Sequence, residues 1–211
     1  MPKRLAPVVQ KTRIQSQNEA LILDAALDVF STYGYRGTTV DQIAAKCGLS
    51  KPNLLYYFRR KEDIYTAVLE RTLTLWLAPL QALDADKDPI EELTRYIEAK
   101  LDLTFARPEA SKLFANEILH GAPHVAAFLN GPLKELVAAK AKVIRHWVKL
   151  GKLRLVEPEH LIFAIWAVTQ HYADFGVQVE AVIGTKPAIE KVKAAVVDLL
   201  LRGVEPEKPH R

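Results

Sequence analysis

Residues 38–61 constrain the fold of this chain more than any other stretch, because they specify two short helices around a tight turn. The first predicted helix covers residues 40–46 and ends before Gly48, a residue suited to the left-handed position after a helix. Ser50 is a good N-cap for a second predicted helix at 51–57. Two short helices joined by a tight glycine turn, the second with a polar start, form the helix-turn-helix pattern.

The residues around these two helices agree with that prediction. Thr38 or Thr39 can cap the first helix. Either Asp41 or Gln42 is placed to complete that cap. Pro52 falls in the first turn of the second helix, where its missing N–H costs little. The segment therefore predicts a compact module that leaves polar and aromatic side chains for another partner.

Charge is distributed unevenly along the chain. Residues 1–61 hold ten Lys and Arg against four Asp and Glu, which gives +6, whereas the remainder has nineteen against twenty-one, which gives −2. A basic segment before a nearly neutral body is typical of a module that binds a polyanion. The alternative is an ordinary solvated face.

Composition excludes several classes of protein. Apolar residues make up 49% of the chain, but no run approaches the length of a membrane span, and the N-terminus lacks the apolar core of a signal peptide. The single cysteine, Cys47, cannot form an internal disulfide, so we expect a cytoplasmic protein.

Helical spacing of apolar residues continues to the end of the sequence and predicts an all-α protein of about nine helices. The predicted helices cover residues 17–33, 40–46, 51–57, 61–83, 90–106, 108–120, 133–150, 158–183 and 187–202. The predicted organisation is a basic flexible arm at 1–16, a helix-turn-helix domain at 17–62, a larger helical domain at 63–203 and a tail at 204–211. Helix 158–183 is apolar nearly all round, which predicts burial on more than one side.

The ordered motifs resemble those of TetR-type transcriptional regulators. Within residues 17–65 they are G-x-x-x-x-T in "GYRGTT", "IAAKCGLS", "LLYYF" and "KED". Farther along, "WLAPL", "LFANEILHGAP", "HWVKLGKL" and "HLIFAIWAVTQHYADF" are similar to the branch of that family that regulates pyrimidine utilisation. The resemblance implies a homodimeric DNA-binding repressor or activator that is not an enzyme and whose effector is uracil, thymine or a related pyrimidine.

The resemblance implies contacts with a palindromic operator in double-stranded DNA. Thr38 or Thr39 would touch a phosphate, and Lys61 would meet the next one. At the start of the second short helix, three residues would face the bases of the major groove: Lys51, Pro52 and Asn53. Of Tyr56 and Tyr57, one hydroxyl would reach a phosphate while the other ring packs in the domain. The basic arm would supply Lys3, Arg4, Lys11 and Arg13.

The resemblance also places an effector site and a dimer interface in the larger domain. Aromatic faces would stack on a pyrimidine, and side-chain amides would meet its edge. The candidate ligand contacts are Trp76, Trp166, Gln170, Tyr172 and Asp174, with Phe114, Asn116, Thr169 and His171 as further candidates. The last two predicted helices would form a four-helix dimer interface that includes Val192, Ala195, Val196, Leu199 and Leu200. An effector would act through the helix at 61–83, which joins the two domains.

Three alternatives remain open at this point. Glu117, His120 and His124 have a spacing that suits a metal ion on a continuous helix, although "GAP" interrupts that helix. We predict neither a metal ion nor another cofactor. An enzyme is disfavoured because the sequence holds no glycine-rich phosphate loop and no nucleophile motif. A regulator of the same family with a lipophilic effector is the realistic competitor.

Overall fold

The structure is a computed structural model that describes residues 13–206 of the 211-residue chain. All regular structure in this range is helical, which confirms the predicted all-α class. The α-helices are α1 (Arg13–Gly37), α2 (Val40–Lys46), α3 (Lys51–Tyr57), α4 (Lys61–Gln81), α5 (Pro89–Ala106), α6 (Pro108–Leu119), α7 (Ala126–Phe128), α8 (Lys134–Lys149), α9 (Pro158–Asp174), α10 (Gly176–Ile183) and α11 (Ile189–Arg202). A π-helical segment (Leu129–Leu133) precedes α8. The chain divides into two compact units, the first ending at Val68 and the second beginning at Leu69.

The first unit has a small core built from α1, α2, α3 and the start of α4. Phe30 of α1 lies at its centre and contacts the ring of Tyr65 edge-on, with ring centroids 4.9 Å apart. Ile43 of α2 and Leu54 of α3 are also fully buried. Burying side chains of this size stabilises a fold by about 1.5–3 kcal/mol each. α2 packs against α1 and α3 packs against α2, which explains how such short helices persist.

The second unit is organised around α5, which packs against both α9 and α11. Its buried apolar stripe includes Leu93, Tyr96, Ile97 and Leu101. Partners in the same core come from α4, α8, α9 and α11, namely Leu80, Ile144, Trp147, Leu161, Ile162, Ile165, Val192, Val196 and Leu201. No helix within residues 13–206 is long and apolar enough to cross a membrane.

Two of the predicted interface residues have a different role. Val192 and Val196 of α11 are buried in the core of their own chain, so they cannot also form a surface between subunits. The prediction that they contact a second subunit is wrong, because α11 turns these positions toward α5. Ala195 and Leu199 of the same helix are exposed.

The structure also corrects several helix boundaries. Residues 1–12, which hold most of the predicted arm, lie outside the described range, and α1 already begins at Arg13. The short α7 and the π-helical segment were not predicted. The helix predicted at 158–183 is two helices, because Phe175 leaves the helical region (φ −114°, ψ 27°) between α9 and α10. The glycine that follows, Gly176, tolerates such a change of direction.

We expect Gly48→Ala to destabilise the first unit. Gly48 has a φ of 71°, a backbone angle that residues with a side chain rarely adopt. The methyl group of an alanine would meet no atom within 4 Å, so steric contact adds nothing. The loss in the free energy of unfolding should be about 1–2 kcal/mol, all of it from backbone strain. Chemical denaturation measures this loss.

The matched control is Gly131→Ala, where there is also open space but no positive φ. Its effect should remain within about 0.5 kcal/mol. Equal stabilities of the two variants would contradict the assignment of strain to Gly48.

Candidate DNA-binding surface and effector site

Side-chain caps fix the two short helices of the first unit. The Thr39 hydroxyl accepts a hydrogen bond from the backbone N–H of Gln42 at 3.2 Å, and Gln42 Oε1 accepts one from the backbone N–H of Thr39 at 2.7 Å. These two bonds confirm the predicted capping box, with Gln42 as its second member. At the next helix, the Ser50 hydroxyl accepts from the backbone N–H of Asn53 at 3.4 Å. Local bonds therefore set where α3 begins.

The first turn of α3 presents three exposed residues, Lys51, Pro52 and Asn53. The Lys51 ammonium donates to Asp41 Oδ2 at 2.8 Å, and both side chains are exposed. Exposed ion pairs of this kind contribute about 0–1 kcal/mol, so a stronger anion can replace the carboxylate. The N-terminal end of a helix also carries a positive partial charge. This turn has the chemistry to approach a polyanion and the edges of its bases.

The two tyrosines of α3 differ in their surroundings. Tyr57 is half-buried, and its hydroxyl accepts a hydrogen bond from the Asn18 side chain at 2.7 Å. Tyr56 is 73% exposed, and its ring meets that of Tyr57 edge-on with centroids 5.3 Å apart. Tyr57 therefore ties α3 to α1, whereas the Tyr56 hydroxyl faces outward.

Thr38 does not fit its predicted contact with a phosphate. The residue is 1% exposed, and its hydroxyl donates to the carbonyl oxygens of Gly34 at 2.8 Å and Val29 at 3.3 Å. Its backbone N–H also donates to Gly34, at 3.2 Å. The structure contradicts the phosphate contact for Thr38, since both of its donors act inside the unit. The exposed Thr39 remains the candidate at the start of α2.

Lys61 also makes internal contacts. Its ammonium donates to the carbonyl oxygens of Tyr35 at 2.7 Å and Thr38 at 2.8 Å, and it lies 4.6 Å from the centroid of the Tyr35 ring. An ammonium has three donors, of which these carbonyls take two. A phosphate contact from Lys61 stays a prediction and would involve the third. Of the predicted basic arm, Lys3, Arg4 and Lys11 lie outside the described residues, and Arg13 is exposed at the start of α1.

A second cluster of functional side chains lies in the second unit, where α4, α5, α6 and α9 each contribute. Trp76 of α4 is buried, and its ring meets that of Phe114 of α6 edge-on, with centroids 5.8 Å apart. The Lys100 ammonium of α5 lies 4.8 Å from the centroid of the Trp76 ring, within the range of a cation–π interaction. Lys100 is only 3% exposed. The second unit therefore places an ammonium, largely removed from water, against an aromatic ring.

Burial lowers the pKa of Lys100 to about 8, because the ammonium loses hydration, while the negative charge of Asp174 opposes that change. Asp174, at the end of α9, accepts a hydrogen bond from the Ser111 hydroxyl at 2.5 Å. Burial raises the pKa of Asp174, whereas the bond from Ser111 and the charge of Lys100 act in the opposite direction. The cluster thus holds the Lys100 ammonium, which can only donate hydrogen bonds, and the Asp174 carboxylate, which accepts them. The surroundings of each group shift its pKa.

Trp166 and Gln170 of α9 are half-buried and lie one helical turn apart. The Trp166 indole N–H donates to the Tyr96 hydroxyl at 2.6 Å, and its ring packs against Phe163 with centroids 5.8 Å apart. Burial raises the pKa of Tyr96, so this phenol stays protonated. Trp76 and Trp166 have different protein partners. The predicted stacking of a ligand between them stays a prediction.

Three other candidates lie elsewhere on α9. Tyr172 packs near Phe105, with centroids 6.0 Å apart, in a surface groove of about 170 Å³. His171 is exposed and stacks on Phe175. The Thr169 hydroxyl is buried and donates to the carbonyl oxygen of Ile165 at 2.7 Å. α9 therefore places these three side chains away from the face that carries Gln170.

The possible metal ligands at the end of α6 and just after it take part in the turn that follows this helix. Glu117 is buried, and its Oε1 accepts a hydrogen bond from the backbone N–H of His124 at 2.7 Å. The His120 ring instead contacts the carbonyl oxygen of Asn116, a residue whose own side chain is exposed. The described residues contain no group of three or more potential ligands that could hold a metal ion.

Lys100 and Ser111 were not among the predicted site residues. Lys100 sits in the apolar stripe of α5, one turn from Tyr96 and from Thr104, which are both buried. The helical periodicity of the sequence could have identified Lys100, because it places this lysine on the buried face of an amphipathic helix. Ser111 gives no such signal, because its partner Asp174 is 63 residues away.

Both units match sequence models of known protein families. The sequence model described as "Bacterial regulatory proteins, tetR family" matches residues 22–68, and the model described as "YcdC-like protein, C-terminal region" matches residues 69–207. The chain is 50% identical over 175 residues to the HTH-type transcriptional regulator RutR of Escherichia coli K12, covering 83% of this chain and 82% of RutR.

Solved structures share the fold. Regulator SCO4942 from Streptomyces coelicolor superposes with a TM-score of 0.71 at 26% identity, covering 89% of this chain and 98% of that one. AibR, solved in complex with isovaleryl coenzyme A and operator DNA, superposes with a TM-score of 0.65 at 19% identity, covering 86% and 97% respectively. The second likeness, at this identity, concerns the fold alone.

We expect Lys100→Met to abolish a pH dependence of stability. The ordinary pKa of lysine is 10.5 and that of folded Lys100 is about 8, so the folded state binds fewer protons between these values. The free energy of unfolding of the wild type should therefore rise with pH across this window, by an amount on the order of 3 kcal/mol. Below about pH 8 the full destabilisation remains. Urea denaturation at several pH values measures the difference between wild type and variant.

Lys142→Met is the matched control, because Lys142 is exposed on α8. That variant should keep the rise seen in the wild type. A difference between wild type and Lys100→Met that is constant from about pH 7 to pH 10 would contradict the depressed pKa of Lys100.

Proposed function

The chain belongs to the TetR family of bacterial transcriptional regulators, and on that premise we propose that it responds to a pyrimidine such as uracil or thymine. As a member of this family it is a ligand-responsive transcriptional regulator and not an enzyme. The observation that carries the pyrimidine proposal is the cluster of Trp76, Lys100 and Asp174, which combines an aromatic ring with a donor and an acceptor. We further propose that it acts in the cytoplasm, where its operator lies.

We propose that the first turn of α3 reads the operator. Asn53 and Lys51 are exposed there, and their side chains suit the edges of adenine and guanine in the major groove. The ring of Pro52 suits contact with a thymine methyl group. Tyr56 and Thr39, both exposed, would reach backbone phosphates on either side. Lys51 pairs with Asp41 in the free protein, and a DNA phosphate or base would displace this carboxylate.

We propose a homodimer with a palindromic operator. One such module reads too few bases for selectivity, whereas a two-fold pair reads two half-sites. The exposed apolar residues of α10 and α11 support this arrangement: Val177, Val182, Ile183 and Leu199. Such a concentration of exposed apolar side chains is typical of an interface.

A flat heterocycle with alternating C=O and N–H groups fits the polar and aromatic character of the second cluster. Trp76 and Trp166 supply rings, and the amide of Gln170 supplies both a donor and an acceptor. The hydrocarbon part of a lipophilic effector would leave the Lys100 ammonium without a compensating partner. The response would pass along α4, whose first residues belong to the first unit and whose remainder belongs to the second.

We expect Asn53→Ala to weaken operator binding without unfolding the protein. Loss of one bidentate base contact should cost about 1–3 kcal/mol, which is a fall in affinity of roughly 5- to 150-fold. Binding to unrelated DNA should change little, because phosphate contacts dominate it. Fluorescence anisotropy at fixed salt measures both affinities.

Asn116→Ala provides the control, since Asn116 is an exposed asparagine of the second unit. This variant should bind the operator as the wild type does. Wild-type operator affinity in Asn53→Ala would exclude Asn53 from base reading.

We expect uracil to stabilise the wild-type protein and to change its operator affinity. A ligand at 100 times its Kd raises the free energy of unfolding by about 2.7 kcal/mol. For a chain of this size that corresponds to an increase in Tm of roughly 5–10 °C. A thermal-shift series with uracil, thymine, cytosine and a medium-chain fatty acid tests the effector. Stabilisation by the fatty acid alone would replace the pyrimidine proposal with a lipophilic effector.

A further inference from the structure

Lys100, which is 3% exposed, and the half-buried Asp174 supply a donor and an acceptor whose hydrogen-bonding capacity is incompletely used within residues 13–206. The Lys100 ammonium contacts the face of Trp76, and it makes none of the hydrogen bonds found among residues 13–206. Asp174 attracts it electrostatically, but no N–O distance of 4.0 Å or less joins the two within the described part of the chain. One oxygen of Asp174, Oδ1, accepts from Ser111. The donors of Lys100 and the second oxygen of Asp174 remain for another molecule.

We propose that Lys100 and Asp174 together bind the N–H and C=O groups on one edge of the effector ring, with Ser111 positioning Asp174. This inference rests on the proposed function and names the groups that decide which pyrimidine fits. Lys100 donates to a ring carbonyl oxygen, and Asp174 accepts from the adjacent ring N–H. The two groups lie farther apart than an ion pair, so neither neutralises the other by direct contact.

A purely structural role explains this pair poorly. Removing an ammonium from water costs several kcal/mol unless a partner compensates for the lost hydration, and apolar replacements of buried ions are often more stable. The face of Trp76 offers partial compensation. Ser111 is fully buried, and it contacts Asp174 rather than Lys100. The serine therefore fixes the direction of the carboxylate without neutralising the lysine.

The pair also predicts selectivity among ligands. A lactam edge, in which N–H stands beside C=O, satisfies both groups at once. At the N3–C4 edge cytosine presents an amino group beside an unprotonated ring nitrogen, so its donor and acceptor positions are reversed there, whereas its N1–H and C2=O match those of uracil. A carboxylate ligand would satisfy Lys100 but would meet the like charge of Asp174. Uracil and thymine share the lactam edge, so this pair does not separate them.

Isothermal titration calorimetry with uracil tests the inference. Lys100→Met and Asp174→Asn should each lower the affinity by about 10- to 100-fold, since each loses a hydrogen bond to a charged group. Ser111→Ala should lower it less, by about 3- to 10-fold, because it removes only the orientation of Asp174. Lys142→Met, with an exposed lysine, should bind as the wild type does.

Two readouts separate ligand binding from a role in folding. Free Lys100→Met should be at least as stable to heat as the free wild type, because an unneutralised buried charge has been removed. On the ligand side, methylation of one of the two ring nitrogens of uracil should prevent binding to the wild type. With Asp174→Asn, the penalty for that same methyl group should shrink, as a double-mutant cycle measures.

Each result decides between definite conclusions. Wild-type binding of uracil together with unchanged affinity in Lys100→Met would overturn this inference and leave the proposed function standing. Equal binding of uracil and of both N-methyluracils to the wild type would overturn it without any variant. Absence of uracil binding to the wild type would overturn the proposed function and this inference with it.

Discussion

The second unit depends on one constraint, the burial of one face of α5. Because this helix packs against both α9 and α11, each inward residue must be apolar or must have its polarity compensated. Leu93, Ile97 and Leu101 meet the first condition. Lys100 meets neither fully, since its main compensation is an aromatic face and a distant carboxylate. The same packing that stabilises the unit therefore creates a place where a polar ligand can improve an imperfect arrangement.

The first unit obeys a different kind of constraint, because its geometry is encoded locally. The bounds of α2 and α3 agree with those predicted from sequence, since a capping box, Gly48 and Ser50 lie within a few residues of the bonds that they form. Such short-range signals are readable without knowledge of the fold. The break at Phe175 could not be predicted in this way, because the sequence pattern around it remains helical and apolar although the backbone changes direction there. Only tertiary packing distinguishes one long helix from two shorter ones.

The candidate site residues also differ in whether neighbouring sequence or the folded structure determines their environment. Sequence reasoning identified the exposed first turn of α3, because those residues belong to one continuous motif. It offered Thr38 or Thr39 for a phosphate contact, whereas Thr38 is buried and its hydroxyl donates to the carbonyl oxygens of Gly34 and Val29. It also missed the bond from Ser111 to Asp174, which joins α6 to α9 across 63 residues. The contacts of Thr38 are with residues only four and nine positions earlier. The bond from Ser111 joins parts of the chain that are distant in sequence, and periodicity within a helix carries no information about such a contact.

These two kinds of encoding have a consequence for how the protein can change. The reading turn depends on neighbouring residues, so it can persist while the second unit acquires a new ligand preference. The polar cluster depends on single positions on four helices, of which Lys100 contributes unfavourable desolvation to the folded state. Substitutions there are free to alter ligand selectivity with little loss of stability, because an apolar side chain suits the core of α5 better. A role of Lys100 in ligand binding therefore explains a lysine at this position better than a role in stabilising the fold.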